Sequence, residues 1–186
     1  MRILSRATIS LAVLTLPFVA SAALAGGGHK AGHHHFEFGA PGKPGEVDRT
    51  IQVSLEDVYF EPETITVKAG ETVRFILTNN GELVHEFNIG TPHMHSEHQE
   101  EMQMMVDHGV LEADKINYEM MKMEMADGTT MEHDDPNSVL LEPKGQAEII
   151  WTFAKPMELE FACNIPGHYD AGMAGTFEFT EKVALK

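Results

Sequence analysis

The sequence predicts an all-β domain interrupted by one partly helical insertion, and three observations predict it. Apolar and polar residues alternate over 51–77 and again over 138–153, the period-2 signature of half-buried strands. Turn-forming residues separate these runs at Pro62, Ala69-Gly70, Asn79-Asn80-Gly81 and Lys144-Gly145, as a succession of short strands requires. Between the two halves, residues 90–137 lose the alternation and fill with Met, His, Asp and Glu.

The chain begins with Arg2 and Arg6, an apolar run from Ala7 to Ala20, and Ala23-Leu24-Ala25 before Gly26. That pattern predicts a cleaved secretory signal peptide over 1–25 and export to the periplasm. Its apolar core is short of the roughly 20 residues that a membrane-crossing helix needs, and no later stretch is apolar enough, so no membrane span is expected. Removing 25 of 186 residues leaves 161, which suits one domain with a real core. Arg2 and Arg6 leave with the peptide, taking the formal charge from −16 to −18. So acidic a chain argues against nucleic acid and anionic membrane surfaces as partners and favours cations or a basic protein. The single cysteine, Cys163, has no internal disulfide partner in an oxidising compartment, and metal ligation gives it another role.

Residues 26–48 contain His29, His33, His34 and His35 among Gly and Pro, with no hydrophobic period. They read as a flexible arm, and His-rich tracts of this kind bind Cu(II), Zn(II) or Ni(II) through neutral imidazole.

The domain itself is expected over 49–186. Ile51, Val53 and Leu55 share one face of a first strand, and Ile65, Val67, Val73, Phe75 and Leu77 continue the alternation. After the turn at Asn79-Asn80-Gly81, Val84 to Ile89 reads as a strand carrying His85. Beyond the insertion, Ile149, Trp151 and Phe153 share a core face, and the Trp151 indole N–H is expected to find one partner. Strands at 158–162 and 176–180 flank a loop.

That loop carries the chemistry. Cys163, His168 and Met173 place a thiol, an imidazole and a thioether at even spacing, while Pro166, Gly167, Gly172 and Gly175 let the backbone fold tightly. Singly, each residue reads as a small buried group, a turn histidine or a core filler. Together they form a soft donor set that selects copper, and a trigonal His2Cys arrangement with a long axial Met requires a second histidine from elsewhere.

Cys-x4-His-x4-Met, with Pro166-Gly167-His168 and Gly172-Met173 inside it, resembles the ligand loop of the cupredoxins, and Phe60 to Phe75 resembles their early strands. The resemblance implies a Greek-key β-sandwich and a mononuclear copper site. His85, Cys163 and His168 would be its equatorial ligands, Met173 its axial ligand, and His168 the ligand nearest solvent and hence the electron port. Glu86 stands where many cupredoxins have an asparagine that braces the two ligand segments, and a charged Glu86 is expected to favour the oxidised metal.

The insertion departs from a plain cupredoxin. It holds His93, Met94, His95, His98, Met102, Met104, Met105 and His108, then Met120, Met121, Met123, Met125, Met131 and His133. Ser96 and Gln99 make a capping box that predicts a helix with His98, Met102 and Met105 on one face. Beyond Gly109, Ile116, Met120 and Met123 repeat the helical spacing and read as core packing. The remaining thioethers and imidazoles read as a second, weaker copper-binding surface, with His93-x-His95 its sharpest pair.

Signal peptide, His-rich arm, Met/His insertion and single site together resemble the periplasmic copper-tolerance cupredoxins of Gram-negative bacteria. The resemblance implies one Cu(I)/Cu(II) ion at the mononuclear site, additional weaker copper ions, and a periplasmic redox or copper-handling protein as partner. No catalytic residues are expected. Two other readings remain open: a small electron carrier between periplasmic redox proteins, and a copper oxidase, which needs a second copper centre.

Overall fold

The alternating runs pair into two five-stranded sheets packed as a Greek-key β-sandwich in a computed structural model, which describes residues 36–124, 130–132 and 135–180. In chain order the elements are β1 (Gly39–Pro41), β2 (Arg49–Leu55), β3 (Phe60–Glu61), β4 (Thr64–Val67), β5 (Thr72–Asn79), β6 (His85–Gly90) and helix α1 (Pro92–Asp107). A hairpin of β7 (Lys122–Glu124) and β8 (Thr130–Glu132) follows, then β9 (Ser138–Leu141), β10 (Gln146–Phe153), β11 (Glu160–Ala162) and β12 (Ala174–Phe179). One sheet has the order β1-β10-β5-β2-β3 and the other β4-β12-β11-β6-β9. The pairs β2 with β5 and β12 with β4 are parallel.

The period-2 pattern sets which residues meet between the sheets. Val53, Phe75, Leu77, Trp151 and Phe153 come from one sheet, and Ile65, Phe87, Ile89, Phe161 and Phe177 from the other, all buried in one cluster. Aromatic rings bridge the sheets: Phe75 lies 5.5 Å from Phe87, and Phe153 lies 5.0 Å from Phe177. Each such side chain contributes about 1.5–3 kcal/mol through burial, so this layer is a rigid base for the residues at its end.

β6 is buried along its whole length. Phe87 and Ile89 face the sandwich core, while Glu86 and Asn88 on the opposite face lie beneath α1. The helix starts at Thr91, whose hydroxyl accepts from the Met94 N–H at 3.3 Å, with Pro92 in its first turn. The capping box expected at Ser96 therefore does not form, because Thr91-Pro92 is the stronger start signal and Ser96 falls inside the helix. At the other end Gly109 adopts φ 71°, and Gly109 and Val110 N–H bond the carbonyls of Val106 and Met105 at 3.0 and 2.8 Å. This is a glycine-terminated helix end with its accompanying apolar contact, since Met105 and Val110 share a cluster.

That second cluster joins Val84, Met102, Met105, Val110, Leu111 and Ile116, with Met120, Met121, Leu140 and Ile165 packed against it. The helix expected through Ile116, Met120 and Met123 is absent. Leu111 and Ile116 form a bridge, Tyr118–Met120 a single 3-10 turn, and β7 follows. Here the Ile116 N–H bonds the Glu142 carboxylate at 2.8 Å and the Asn117 N–H bonds the Val110 carbonyl at 2.8 Å, partners that a continuous helix would forgo.

Two further expectations change. The end of the segment read as a flexible arm, from Phe36, instead forms β1 on the edge of β10, with Phe38 buried 5.5 Å from Trp151. The Trp151 Nε1–H has no partner among the described residues; the indole is packed by Phe36, Phe38 and Gly39. The signal segment and His29, His33, His34 and His35 lie outside the described residues, as do Met125 and His133. No helix among the described residues is long and apolar enough to cross a membrane.

Candidate metal centre

His85 is the first residue of β6, and a tight turn aims it. Asn79 anchors that turn by donating to the carbonyls of Leu83 and Leu141 at 2.8 and 2.9 Å and accepting from the Gly81 N–H at 2.9 Å. The Asp57 carboxylate accepts from the backbone of Glu82 at 2.8 Å and Leu83 at 3.3 Å, and one of its oxygens stands 3.4 Å from His85 Nε2. An added Cβ at Gly81 would lie 2.2 Å from that carboxylate oxygen and 3.0 Å from His85 Nε2, so a larger residue there would push the Asp57 carboxylate out of this position. Asp57 is thereby placed to accept a hydrogen bond from Nε2–H and leave Nδ1 as a lone-pair donor, the usual division of labour on a metal-binding imidazole.

Cys163 follows β11 directly, and the loop folds back to bring Met173 beside it: the Cys163 N–H bonds the Met173 carbonyl at 3.1 Å, and the Met173 N–H bonds the His168 carbonyl at 3.0 Å. Gly167 and Gly172 adopt φ 86° and 100°, the left-handed conformations this reversal requires. Tyr169 ties the loop to β11 through its hydroxyl, 2.8 Å from Glu160. His168 Nδ1 lies 3.4 Å from Cys163 Sγ, and the His85 and His168 rings are 5.1 Å apart. One ligand atom from each of His85, Cys163 and His168 falls within 4.8 Å of the other two.

The electrostatics suit a soft cation. Burial pushes both imidazoles below their ordinary values, opposed at His85 by Asp57 and reinforced at His168 by His85, so both are neutral donors near pH 7. Burial pushes the Cys163 thiol up to about 12; only a bound cation would make it a thiolate at neutral pH. His85 Nδ1 is buried without a hydrogen-bond partner, an arrangement that costs free energy unless a ligand completes it. Two neutral imidazoles, a thiol and the buried thioether Met173 are a donor set that fits copper.

Glu86 braces the centre from beneath. Its N–H donates to Cys163 Sγ at 3.3 Å, and its carboxylate accepts from the Asn164 N–H at 3.1 Å, Asn164 Nδ2 at 2.8 Å, the Ser138 hydroxyl at 2.5 Å and His98 Nε2 at 2.9 Å. His98 also bonds Glu101 through Nδ1 at 3.0 Å. These two carboxylates outweigh the cost of burial and raise the His98 pKa to about 10. The charge of Glu86 therefore has a cation beside it. Asp57, Ser138, Asn164 and the His98 partnership were not visible as site residues in the sequence; only the position of Asn164, next to Cys163, hinted at a role.

The insertion's other candidates are dispersed. His93 is 82% exposed at its side chain and lies 3.8 Å from Glu97, whereas His95 is fully buried with Nδ1 3.2 Å from Asn164 Nδ2. The pair is not one chelate, since helical residues two apart point to different faces. Met102 and Met105 are buried in the second apolar cluster, Met120 and Met121 pack against it, and Met94 packs on the sandwich core. Met123 and Met131 are backbone partners in the antiparallel register of β7 and β8.

A cupredoxin-like domain model matches residues 18–106, a span containing His85 and Glu86. The chain is 50% identical over 172 residues to the copper-resistant cuproprotein CopI of Pseudomonas aeruginosa, covering 89% of this chain and 92% of that one. To the CopI of Rubrivivax gelatinosus it is 37% identical over 154 residues, covering 81% and 79%. Among solved structures, auracyanin B superposes with a TM-score of 0.55 at 18% identity, covering 77% of this chain and 97% of that one. The reduced auracyanin of Roseiflexus castenholzii gives 0.52 at 20% identity, covering 73% and 99%; these two likenesses speak to the fold. Identity at this level over nearly the full length of both chains places the protein within a family: it belongs to the CopI cuproproteins, which it joins with a cupredoxin-like β-sandwich.

Proposed function

We propose that this chain is a periplasmic copper-tolerance protein that holds one copper ion through His85 Nδ1, Cys163 Sγ and His168 Nδ1, with Met173 as axial donor. The observation that carries the reading is His85 Nδ1: buried, without a hydrogen-bond partner, and gathered with Cys163 and His168 within 4.8 Å. A bound copper would supply a one-electron Cu(I)/Cu(II) couple at this point. The protein's part is to keep the donors in place. Asp57 holds the His85 ring, the loop's own backbone bonds hold Met173 against Cys163, and Glu86 clamps Asn164 and Ser138. A frame this constrained gives the donors little room to rearrange when the charge at the site changes.

The relatives carry copper resistance in their names, and the acidic, exported chain suits capture of cations. Residues 1–25 fit a cleaved export signal. One observation favours electron transfer as a second reading: His168 is the ligand with access to solvent, half-buried where His85 and Cys163 are buried. Binding and redox cycling, rather than turnover of an organic substrate, are the activities this site serves.

The test is Cys163→Ser in the copper-loaded protein. It is expected to abolish the thiolate charge-transfer absorption while leaving the far-ultraviolet dichroism and the sandwich intact. A visible band that persists in the variant overturns the ligand assignment. Copper tolerance of cells carrying the variant then separates the two readings: loss of tolerance supports copper handling at this site, and unchanged tolerance moves electron transfer ahead.

A further inference from the structure

Where α1 meets Glu86 of β6, His98, Glu101 and Asp135 bring one ligand atom each within 4.8 Å of one another. They come from separate segments, the helix and the stretch leading into β9, so the cluster is a product of the fold and not of local sequence. His98 Nδ1 and Glu101 Oε2 are 3.0 Å apart, the separation of two donors that share an ion at about 2.0–2.2 Å with a near-right angle between them. The other nitrogen of His98 bonds Glu86 at 2.9 Å. A carboxylate on Nε2 fixes the ring and makes Nδ1 a stronger donor, the arrangement found behind metal-binding histidines.

We propose that His98, Glu101 and Asp135 form a second cation site, for a divalent transition ion of the Zn(II)/Cu(II) class, whose occupancy is felt at Cys163 through Glu86. One imidazole with two carboxylates is too hard a set for Cu(I) and too nitrogen-rich for Mg(II) or Ca(II), and it suits the borderline divalent ions. The same groups already hold a proton on His98 between two carboxylates; a divalent ion replaces that proton and raises the local positive charge. The relay to the first centre is short: His98 to the Glu86 carboxylate, and Glu86 to Cys163 Sγ through its own N–H at 3.3 Å and to Asn164 through its side chain at 2.8 Å. The link to Cys163 rests on the copper reading above, whereas the site itself does not.

The experiment titrates Zn(II), which is redox-silent, into the protein as isolated with its copper, counting bound zinc by metal analysis and following the visible band. Native protein is compared with Glu101→Gln/Asp135→Asn, with Asp135→Asn alone as a milder variant, and with His33→Ala/His34→Ala/His35→Ala to account for the N-terminal histidines. Thermal melting checks that each variant is folded. The double variant is expected to bind one zinc fewer per chain than the native protein, the single variant to bind that zinc about tenfold more weakly or worse, and the triple-histidine variant to retain it. Zinc is expected to shift the visible band in the native protein and not in the double variant. Equal zinc uptake by the native protein and the double variant overturns the site. Loss of one zinc without any band shift overturns the link through Glu86. Cys163→Ser, which removes the first centre, is expected to keep the zinc; if it loses that ion, the zinc belonged to the first centre and the second site is overturned, with the copper reading left standing.

Discussion

Glu86 and Asn164 are joined by two hydrogen bonds, from the Asn164 N–H at 3.1 Å and its Nδ2 at 2.8 Å to the same carboxylate oxygen. The pair bolts the strand that presents His85 to the residue after Cys163, so the two halves of the candidate site share one buried carboxylate. Glu86→Ala would leave the Asn164 donors, Ser138 and the His98 cation without that partner. Removing one member of a buried charged pair costs about 3–5 kcal/mol, and a loss of that size is expected in urea unfolding of the copper-free protein.

The same network changes what Glu86 does to the metal's potential. A lone carboxylate beside the centre would favour the oxidised ion, but His98 sits 2.9 Å from it and carries a proton. His98→Gln removes that compensating charge and is expected to lower the reduction potential of the copper-loaded protein. Glu86→Gln/His98→Gln, neutral at both positions, is expected to bring it back toward the native value. Voltammetry at one pH measures all three, and an unchanged potential in His98→Gln would contradict the compensation.

Asp57 offers a cleaner perturbation because its side chain is 45% exposed. Asp57→Asn keeps the shape and weakens the acceptor that orients His85 Nε2 at 3.4 Å. Loss of such an outer partner typically costs 10–100-fold in metal affinity. A drop of about that size is expected in competitive copper titration, with little change in unfolding midpoint; equal affinity would show that His85 is held by its turn alone.

How much of this was legible beforehand follows from how far apart the interacting residues lie. Cys163, His168 and Met173 were readable because one loop carries all three, and the strands were readable because Ile51, Val53 and Phe75 obey a local period. Asp57 was not, since its partner His85 lies 28 residues on and nothing near Asp57 marks it as different from any other surface acid. The helix through Ile116 was read from spacing, but Glu142, 26 residues away, takes the Ile116 N–H. The His93-x-His95 pair misled because the motif acts as a chelate on a strand or loop, and here it lies on α1, with one ring in solvent and the other buried.

Met102 separates packing from copper handling. It is 0% exposed, in a cluster with Val84, Met105 and Ile116. Met102→Ala is expected to destabilise the protein by about 2–5 kcal/mol through the cavity it leaves, while the visible band and the number of coppers bound stay as in the native protein. Met102→Leu, similar in volume, should cost less than about 1.5 kcal/mol. A fall in bound copper in the leucine variant would instead assign the thioether to a metal. Deleting 90–137 outright is the poorer experiment, because α1 covers Glu86 and the deletion would strip the brace from the first centre.

The pH dependence of the copper-free protein follows from His98. Its pKa is about 10 in the folded state against an ordinary 6.5. Below 6.5 the ring is protonated whether the chain is folded or not, and its ion pairs contribute in full. Between 6.5 and 10 the folded protein retains a proton that the unfolded chain releases, so stability falls as pH rises, and the contribution is gone above about 10. The lowered histidines, His85, His95 and His168, are largely deprotonated in both states by about one pH unit above the ordinary 6.5. Cys163 adds a loss of its own only as pH approaches 9, where the unfolded thiol ionises and the buried one does not. From about pH 7.5 to 8.5, then, the slope belongs to His98 among these groups. Urea midpoints across that window are expected to decline in the native protein and to stay level in His98→Gln, and parallel declines in both would place the proton elsewhere.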